Sequence, residues 1–238
     1  LNNINSTKEI RKEIEADLNQ VGSKNDKSYT IQDKLESDGI SVNFGKTCLS
    51  YDNLTFHKDK NYLIQGPSGT GKSLYMDILL KNRKEYQGDI YIDQEVSDKA
   101  GAIDNIAYIG PSNNLFKGSV FFNIAFGRDL SDQEMVTIKS LLGPDLIKST
   151  SIDDLSSGEK RRVLLLRGIL STRNLVFFDE PTSNLDRENV YKFWEIVSQV
   201  TDKHYIVISH DHPSKYNYLF DDIIDFTGLV HRSKGKHD

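Results

Sequence analysis

A single cysteine, Cys48, occurs in 238 residues. No intramolecular disulfide and no cysteine-based metal cage is therefore possible, and the chain suits a reducing compartment. Long apolar runs are also missing: the densest stretches, Val120–Phe126 and Val163–Leu166, fall far short of the roughly 18 consecutive apolar residues that a membrane-spanning helix needs. Positive charge is not in excess. With 30 Lys and Arg against 35 Asp and Glu, the formal net charge is -5, the wrong sign for a chain held mainly by phosphate backbones, so no nucleic-acid partner is expected. There is no internal repeat, no low-complexity tract, no initiator methionine before Leu1 and no basic-then-apolar signal segment. The expectation is a chain either processed or cut from something longer.

What the chain has is bulk and pattern. Its length and its 37% of hydrophobic residues allow one large domain, or one with a small appendage. Residues 1–39 are polar and charged. Ile10, Ile14, Leu18 and Val21 recur three or four apart over Lys8–Val21 and predict an amphipathic helix, followed by a Ser/Lys/Asn/Asp-rich connector. The first 39 residues thus read as a linker helix and tether, and residues 40–238 as the domain. From Ile40 onward short apolar strands (Ile40–Phe44, Tyr62–Gln65, Gly88–Asp93, Ile103–Ile109, Leu175–Phe178, Tyr205–Ser209) alternate with helical patterns near Lys72–Leu80, Gly158–Leu170 and Arg187–Val200. That alternation predicts an α/β layer structure. Leu175-Val176-Phe177-Phe178 is apolar without alternation, as a parallel strand covered on both faces should be.

Gly66-Pro67-Ser68-Gly69-Thr70-Gly71-Lys72-Ser73 satisfies G-x-x-x-x-G-K-[ST], with an apolar strand before it and a helical run after it. Glycines are needed because backbone N–H groups must turn inward and approach phosphate oxygens without a Cβ in the way, while the helix start adds the positive end of its dipole. Lys72 would reach the β- and γ-phosphates of a nucleotide and the Ser73 hydroxyl would ligate magnesium. Further on, Leu175-Val176-Phe177-Phe178 runs into Asp179-Glu180. Two adjacent carboxylates then stand beyond the C-terminal end of a parallel strand, where open sheets bind ligands. Asp179 would hold magnesium through its water shell, and Glu180 could orient or deprotonate an attacking water.

At Leu155-Ser156-Ser157-Gly158-Glu159, just ahead of a helical run that begins with Arg161, the chain resembles the signature motif of ABC ATPases. Asp179 to Asp186, Asp-Glu-Pro-Thr-Ser-Asn-Leu-Asp, resembles the family's acidic strand running into its D-loop; Ile208-Ser209-His210 resembles its switch-histidine strand. Gly228-Leu229-Val230 and Gly235-Lys236-His237 resemble the closing hairpin of the exporter branch, and Leu115–Ser119 with Asn123–Gly127 resemble the exporter segment after the glutamine loop. The resemblance implies a P-loop NTPase core with a mixed sheet, a small antiparallel β subdomain, and a shortened helical subdomain over about residues 112–170 that carries the signature. It implies ATP and Mg2+, with two copies or homologous domains pairing head to tail around each ATP. Ser156 and the backbone of Ser157 and Gly158 would then face the γ-phosphate across the pair, and His210 would contact it from the same subunit. The adenine-stacking aromatic would be Phe44, which otherwise is a plain core residue. His212, two residues beyond His210, has no third ligand at suitable spacing.

Three departures from the family stand out. Where it places a glutamine that senses magnesium and the membrane partner, the chain has Pro111 in Gly110-Pro111-Ser112-Asn113; residues 127–155 are short; and the glycine-rich loop before the signature is not recognisable in Thr150–Asp154. The function implied is the ATPase domain of an exporter at the cytoplasmic face of a membrane, its transmembrane domain fused upstream of Leu1. The alternative is a soluble ABC-type ATPase of DNA repair, chromosome organisation or translation. Repair and chromosome versions carry a long coiled coil between phosphate loop and signature, whereas about 80 residues separate Lys72 from Leu155 here.

Overall fold

The computed structural model describes residues 27–111, 113–143, 146, 151–210 and 213–234. The amphipathic helix expected over Lys8–Val21, His212 and Gly235-Lys236-His237 lie outside them. The described residues divide into two compact units: one built from Lys27–Pro111, Arg173–Ser183 and Ser198–Asp238, the other from Ser112–Thr172 and Asn184–Val197.

The first unit holds two large sheets and a two-stranded parallel one, in which Ser28–Tyr29 pairs with Ala102–Ile103. Strands β1 (Ser28–Tyr29), β2 (Lys34–Phe44), β3 (Thr47–Tyr51), β4 (Thr55–His57) and β5 (Tyr62–Gln65) precede helix α1 (Lys72–Leu79). Then come β6 (Gln87–Ile92), β7 (Glu95–Val96), β8 (Ala102–Ile103) and β9 (Ile106–Ile109), and later β10 (Leu175–Asp179), β11 (His204–Ile208), β12 (Asp222–Asp225) and β13 (Val230–Lys234). Five of them form an all-parallel sheet in the order β12-β5-β11-β10-β9. In β10 every residue is buried, as its unbroken apolar run requires. The register aligns Asp179 with Ile208 and Ile208 with Ile64. Parallel strands in this register end on one edge, so the segments that follow β5, β10 and β11 emerge side by side.

The other sheet runs β13-β3-β2-β6-β7 with β4 also on β2, and is antiparallel. It begins before Ile40, the boundary expected for the tether: Lys34–Gly39 already belong to β2. This half pairs with both β4 and β6, burying Leu35 and Ser37 while Lys34 and Glu36 stay more open. The charge on those alternate positions is what makes the segment read as linker. The Asp93 carboxylate fastens its start by accepting from the backbone N–H groups of Gln32, Asp33 and Lys34 at 2.7–3.0 Å. The stretch expected as one strand over Ile103–Ile109 is two, β8 and β9, interrupted by the turn at Asp104-Asn105. Of the segment expected as a closing hairpin, Val230–Lys234 form β13, which pairs with β3. Leu35, Phe56, Ile64, Tyr75, Ile78, Phe177 and Phe226 belong to a single buried cluster.

The second unit is helical: α2 (Val120–Ala125), α3 (Asp132–Leu142), a short 3-10 turn at Ile152–Asp154, α4 (Ser157–Ile169) and α5 (Arg187–Gln199) as far as Val197. Both α2 and α3 pack on α4, whose Val163, Leu165, Leu166 and Ile169 are fully out of water. Arg167 ties Leu115–Gly127 to this core. Its guanidinium lies over the rings of Phe116 and Phe126 at 5.3 and 5.1 Å and donates to the Asn123 carbonyl and Oδ1 at 2.8 and 2.7 Å. Burial lowers its pKa to about 10. Helix α3 is closed by a capping box between Ser131 and Glu134, and Glu134 also takes a two-bond fork from Arg128 at 3.1 and 2.7 Å.

The Arg128 fork, aided by Ser131, lowers the Glu134 pKa from 4.5 to about 2. The unfolded chain therefore binds the proton more readily, so the stabilisation is complete above about pH 4.5 and drains away as pH falls towards 2. Because the pair is partly open to solvent the effect is small. Thermal melting followed from pH 5 down to 2 should show a shallower acid loss in Glu134→Gln than in the parent chain; identical pH slopes would refute the linkage.

Candidate nucleotide site

The phosphate loop leaves β5 and enters α1. Gly66, Gly69 and Gly71 have φ of 150°, 77° and 97°, conformations that turn successive backbone groups to one side at no Cβ cost. Gly71 is the tightest position, since a Cβ there would lie 2.8 Å from the Tyr51 hydroxyl oxygen. The Thr70 hydroxyl donates to the Pro67 carbonyl at 2.9 Å. Lys72, 6% exposed, folds its ammonium back to the carbonyls of Gly66 and Pro67 at 2.7 and 2.9 Å. Helix α1 starts on Gly71 with no side-chain cap and no acid in its first turn, leaving the positive end of its dipole unopposed by a side chain. Arg232 of β13 donates to the Gly69 carbonyl at 2.9 Å, a contact that nothing in the motif announces.

Asp179 ends β10 and is 1% exposed. Burial raises its pKa; the hydrogen bond with the Ser73 hydroxyl opposes that, while the charge of Glu180 adds to it. Two hard oxygen groups, a hydroxyl and a carboxylate, meet where the loop enters α1, which suits a magnesium ion that takes few protein ligands and completes its shell with water and phosphate oxygens. Among the described residues no group of three or more His, Cys, Asp or Glu could hold a metal ion, so a cation here would depend on such outside oxygens.

Glu180 follows with φ 48°, uncommon for a residue with a Cβ. Its N–H donates to Ile208 O at 2.9 Å, and the N–H and hydroxyl of Ser183 return to its carbonyl at 3.2 and 2.9 Å. The turn is over-determined, and it aims the side chain at the segment after β11. There Nδ1 of His210 lies 2.7 Å from Glu180 Oε2. Lys72, Ser73, Asp179, Glu180 and His210 thus all belong to one unit. Phe44 ends β2, 45% exposed, with the Arg83 guanidinium 5.2 Å from its ring centroid. It is not a core residue.

The signature residues belong to the helical unit. Leu155 is buried. The Ser156 hydroxyl accepts from Glu159 N–H at 3.3 Å and the Glu159 carboxylate accepts from Ser156 N–H at 2.7 Å, a capping box at the start of α4. With the Ser156 N–H engaged, the donors this helix start can offer a ligand come from Ser157 and Gly158. Asp186 caps α5, accepting from the backbone and side-chain nitrogens of Asn189 at 2.9 and 2.7 Å.

A strand–glycine loop–helix beside an acidic strand end, on a five-stranded parallel sheet, defines the class of P-loop nucleotide-binding proteins. The comparisons narrow this. The profile of the ABC transporter family matches residues 49–183, more than half of the chain, and the protein belongs to that family as an ATP-binding, ATPase domain. It is 29% identical over 181 residues to the zinc import ATP-binding protein ZnuC of Histophilus somni, spanning 74% of this chain and 67% of ZnuC. It is likewise 29% identical over 198 residues to the sublancin-168-processing and transport ATP-binding protein SunT of Bacillus subtilis, covering 75% of this chain but 28% of SunT. The match to the uncharacterized ABC transporter ATP-binding protein y4gM of Sinorhizobium fredii covers 30% of that protein, so the chain spans under a third of two of these relatives. An ATP-bound bacterial Atm1-family ABC exporter shares the fold with a TM-score of 0.64 at 21% identity over 90% of this chain and 41% of its own.

The capping box at α4 makes a measurable claim. Without nucleotide, Ser156→Ala should lower the melting temperature by about 2–4 °C, the equivalent of a lost cap worth about 1 kcal/mol in a chain of this size. Ser156→Gly should cost a fraction of that. Equal losses in both variants, read by circular dichroism, would show that the hydroxyl does not cap.

Proposed function

We propose that this chain is the ATP-hydrolysing domain of an ABC exporter, working at the cytoplasmic face of a membrane with a transmembrane domain in the same polypeptide. A second copy or a homologous domain would pair with it head to tail around ATP. The observation that carries the hydrolytic reading is the 2.7 Å contact between Glu180 and His210 beyond the ends of neighbouring parallel strands. In the reaction Lys72 would exchange the loop carbonyls for β- and γ-phosphate oxygens, and the amides of Gly69–Ser73 would line the same anion. Glu180 would take a proton from water as the water oxygen attacks the γ-phosphorus, with ADP leaving. His210, its Nδ1 committed to Glu180, would present Nε2 to the γ-phosphate. Ser73 and Asp179 would hold Mg2+, which supplies charge neutralisation of the phosphates. Phe44 offers a partly open ring face for adenine. From the partner, the start of α4 at Ser156–Gly158 would close the site, with Leu155 and Glu159 shaping that start.

Support for the exporter reading comes from Leu115–Ser119 and Asn123–Gly127, the exporter-like segment built around Arg167, and from SunT, of whose length this chain covers 28%. A separately encoded ATPase of an importer is the second reading, favoured by ZnuC, of which the chain spans 67%. The uncut coding frame discriminates between them: apolar segments of about 20 residues upstream of Leu1 support the fused exporter. A start codon directly before Leu1 would overturn it.

Two substitutions test the chemistry. Lys72→Ala should abolish ATP binding or turnover, because no other cation is positioned by the motif to neutralise the β- and γ-phosphates; unchanged titration and turnover would sink the phosphate-loop assignment. Glu180→Gln should keep binding, lose hydrolysis by roughly two or more orders of magnitude, and accumulate an ATP-bound dimer in sedimentation. Normal turnover in that variant would remove Glu180 from the role of base.

A further inference from the structure

Residue 111 cannot bring a polar side chain towards the carboxylate of Asp179, because it is proline. The strand just before it brings an oxygen from another position. Tyr108 in β9 is register partner to Phe177 in β10, and its hydroxyl donates to Asp179 Oδ2 at 3.5 Å. Reaching the end of the neighbouring strand takes the phenol over Gly110, two residues on and just past the end of β9. A Cβ at residue 110 would stand 2.2 Å from the Tyr108 hydroxyl oxygen and 2.5 Å from its Cζ. Tyr108 can hold this position only because residue 110 has no side chain. Tyrosine and glycine form a matched pair against a carboxylate that is 1% exposed.

We propose that Tyr108 is a positioning residue for the metal carboxylate: its hydroxyl holds one oxygen of Asp179 so that the Asp179–Ser73 pair is oriented for the cation of Mg-ATP. This rests on the ATP-hydrolysing reading above. A long hydrogen bond is a weak anchor in water but a useful one at a buried carboxylate, where the alternative is rotation among orientations that cannot ligate. Outer-shell partners of this kind are typically worth 10–100-fold in metal affinity, and the 3.5 Å separation places Tyr108 at the lower end.

The test uses the protein with ATP and with Mn2+ as a magnetic probe for Mg2+. Tyr108→Phe keeps the ring and removes only the hydroxyl. Its melting temperature and its affinity for metal-free nucleotide should match the parent, while the Mn2+ concentration needed to half-saturate the nucleotide complex, read by electron paramagnetic resonance, rises about tenfold. Gly110→Ala, which displaces the phenol without deleting it, should give the same rise. Placing a carboxamide nearby by Pro111→Gln should recover much of the loss in the Tyr108→Phe background and change the parent less than about twofold. Parental Mn2+ binding in Tyr108→Phe overturns the proposal, as does an equal gain from Pro111→Gln in both backgrounds. A fall in melting temperature or in metal-free nucleotide affinity in Tyr108→Phe also overturns it, because the phenol would then hold the fold instead of the carboxylate. Failure here leaves nucleotide binding intact, whereas failure of the underlying reading would show first in Lys72→Ala.

Discussion

The candidate nucleotide site depends on the parallel register of β5, β11 and β10. Because Ile64, Ile208 and Asp179 are register partners across three adjacent strands, the loop at Gly66, the acids at Asp179-Glu180 and the histidine at 210 emerge along one edge. No side-chain contact could assemble them if a strand slipped. The hydrophobic burial of β10 and β11 resists such a slip, since a one-residue shift would move Phe177, Phe178, Ile206 and Val207 to opposite faces of the sheet. Backbone bonds complete the lock: Ser209 N–H donates to Ile64 O at 3.1 Å and Glu180 N–H to Ile208 O at 2.9 Å. Stability and chemistry here share one cause, the packing of apolar side chains on both faces of a parallel sheet.

That packing also creates the electrostatic tension at the site. A carboxylate at the end of a buried strand is disfavoured in its charged form, and the raised pKa of Asp179 expresses this. Helix starts show how such charge is managed elsewhere. In α3 and α4 the first turn is closed by a serine and a glutamate in reciprocal capping boxes, Ser131 with Glu134 and Ser156 with Glu159. In α1 neither device is present: Gly71 has no side-chain oxygen to cap with and no acid occupies the first turn. A helix start left without its own anion favours an anion from outside, and Lys72 beside it adds a full charge to the dipole. At α4 the glutamate already satisfies the Ser156 N–H, so that start has less to offer an anion than α1 has.

Much of this was legible beforehand because it is written in local patterns. The unbroken apolar run of Leu175–Phe178 identifies a parallel strand, and Gly66–Ser73 between a strand and a helix identifies the loop. The first half of β2 was not legible, because Lys34, Glu36 and Asp38 occupy the more open alternate positions of a strand that pairs on both edges, and charge at those positions looks like linker. Asp93 gives its purpose away only in three dimensions, where one carboxylate gathers three backbone amides. The positive φ of Glu180 is invisible for the same reason: a residue with a Cβ carries no sequence sign of a left-handed turn when the surrounding hydrogen bonds impose it. Tyr108 is hidden by its ordinariness, since a tyrosine in a strand is simply a residue that suits strands. Its one sequence sign is the glycine two positions on.

Proline at 111 changes the mechanics of the chain as well as its chemistry. It fixes its own φ, donates no N–H, and pushes the preceding residue out of the helical region towards extended backbone. Gly110, otherwise the most permissive residue at the end of β9, is therefore held towards the conformation that continues the strand. This helps keep the Cα of residue 110 beneath the Tyr108 phenol. The imino acid that stands where the family pattern has a carboxamide and the bare backbone before it thus act together. One brings no polar side chain to this place; the other clears a path for an oxygen carried by the sheet itself. A group anchored in a packed strand has fewer orientations to lose than one on a loop, so a hydroxyl carried by β9 holds the proposed metal carboxylate with less freedom than a loop side chain would.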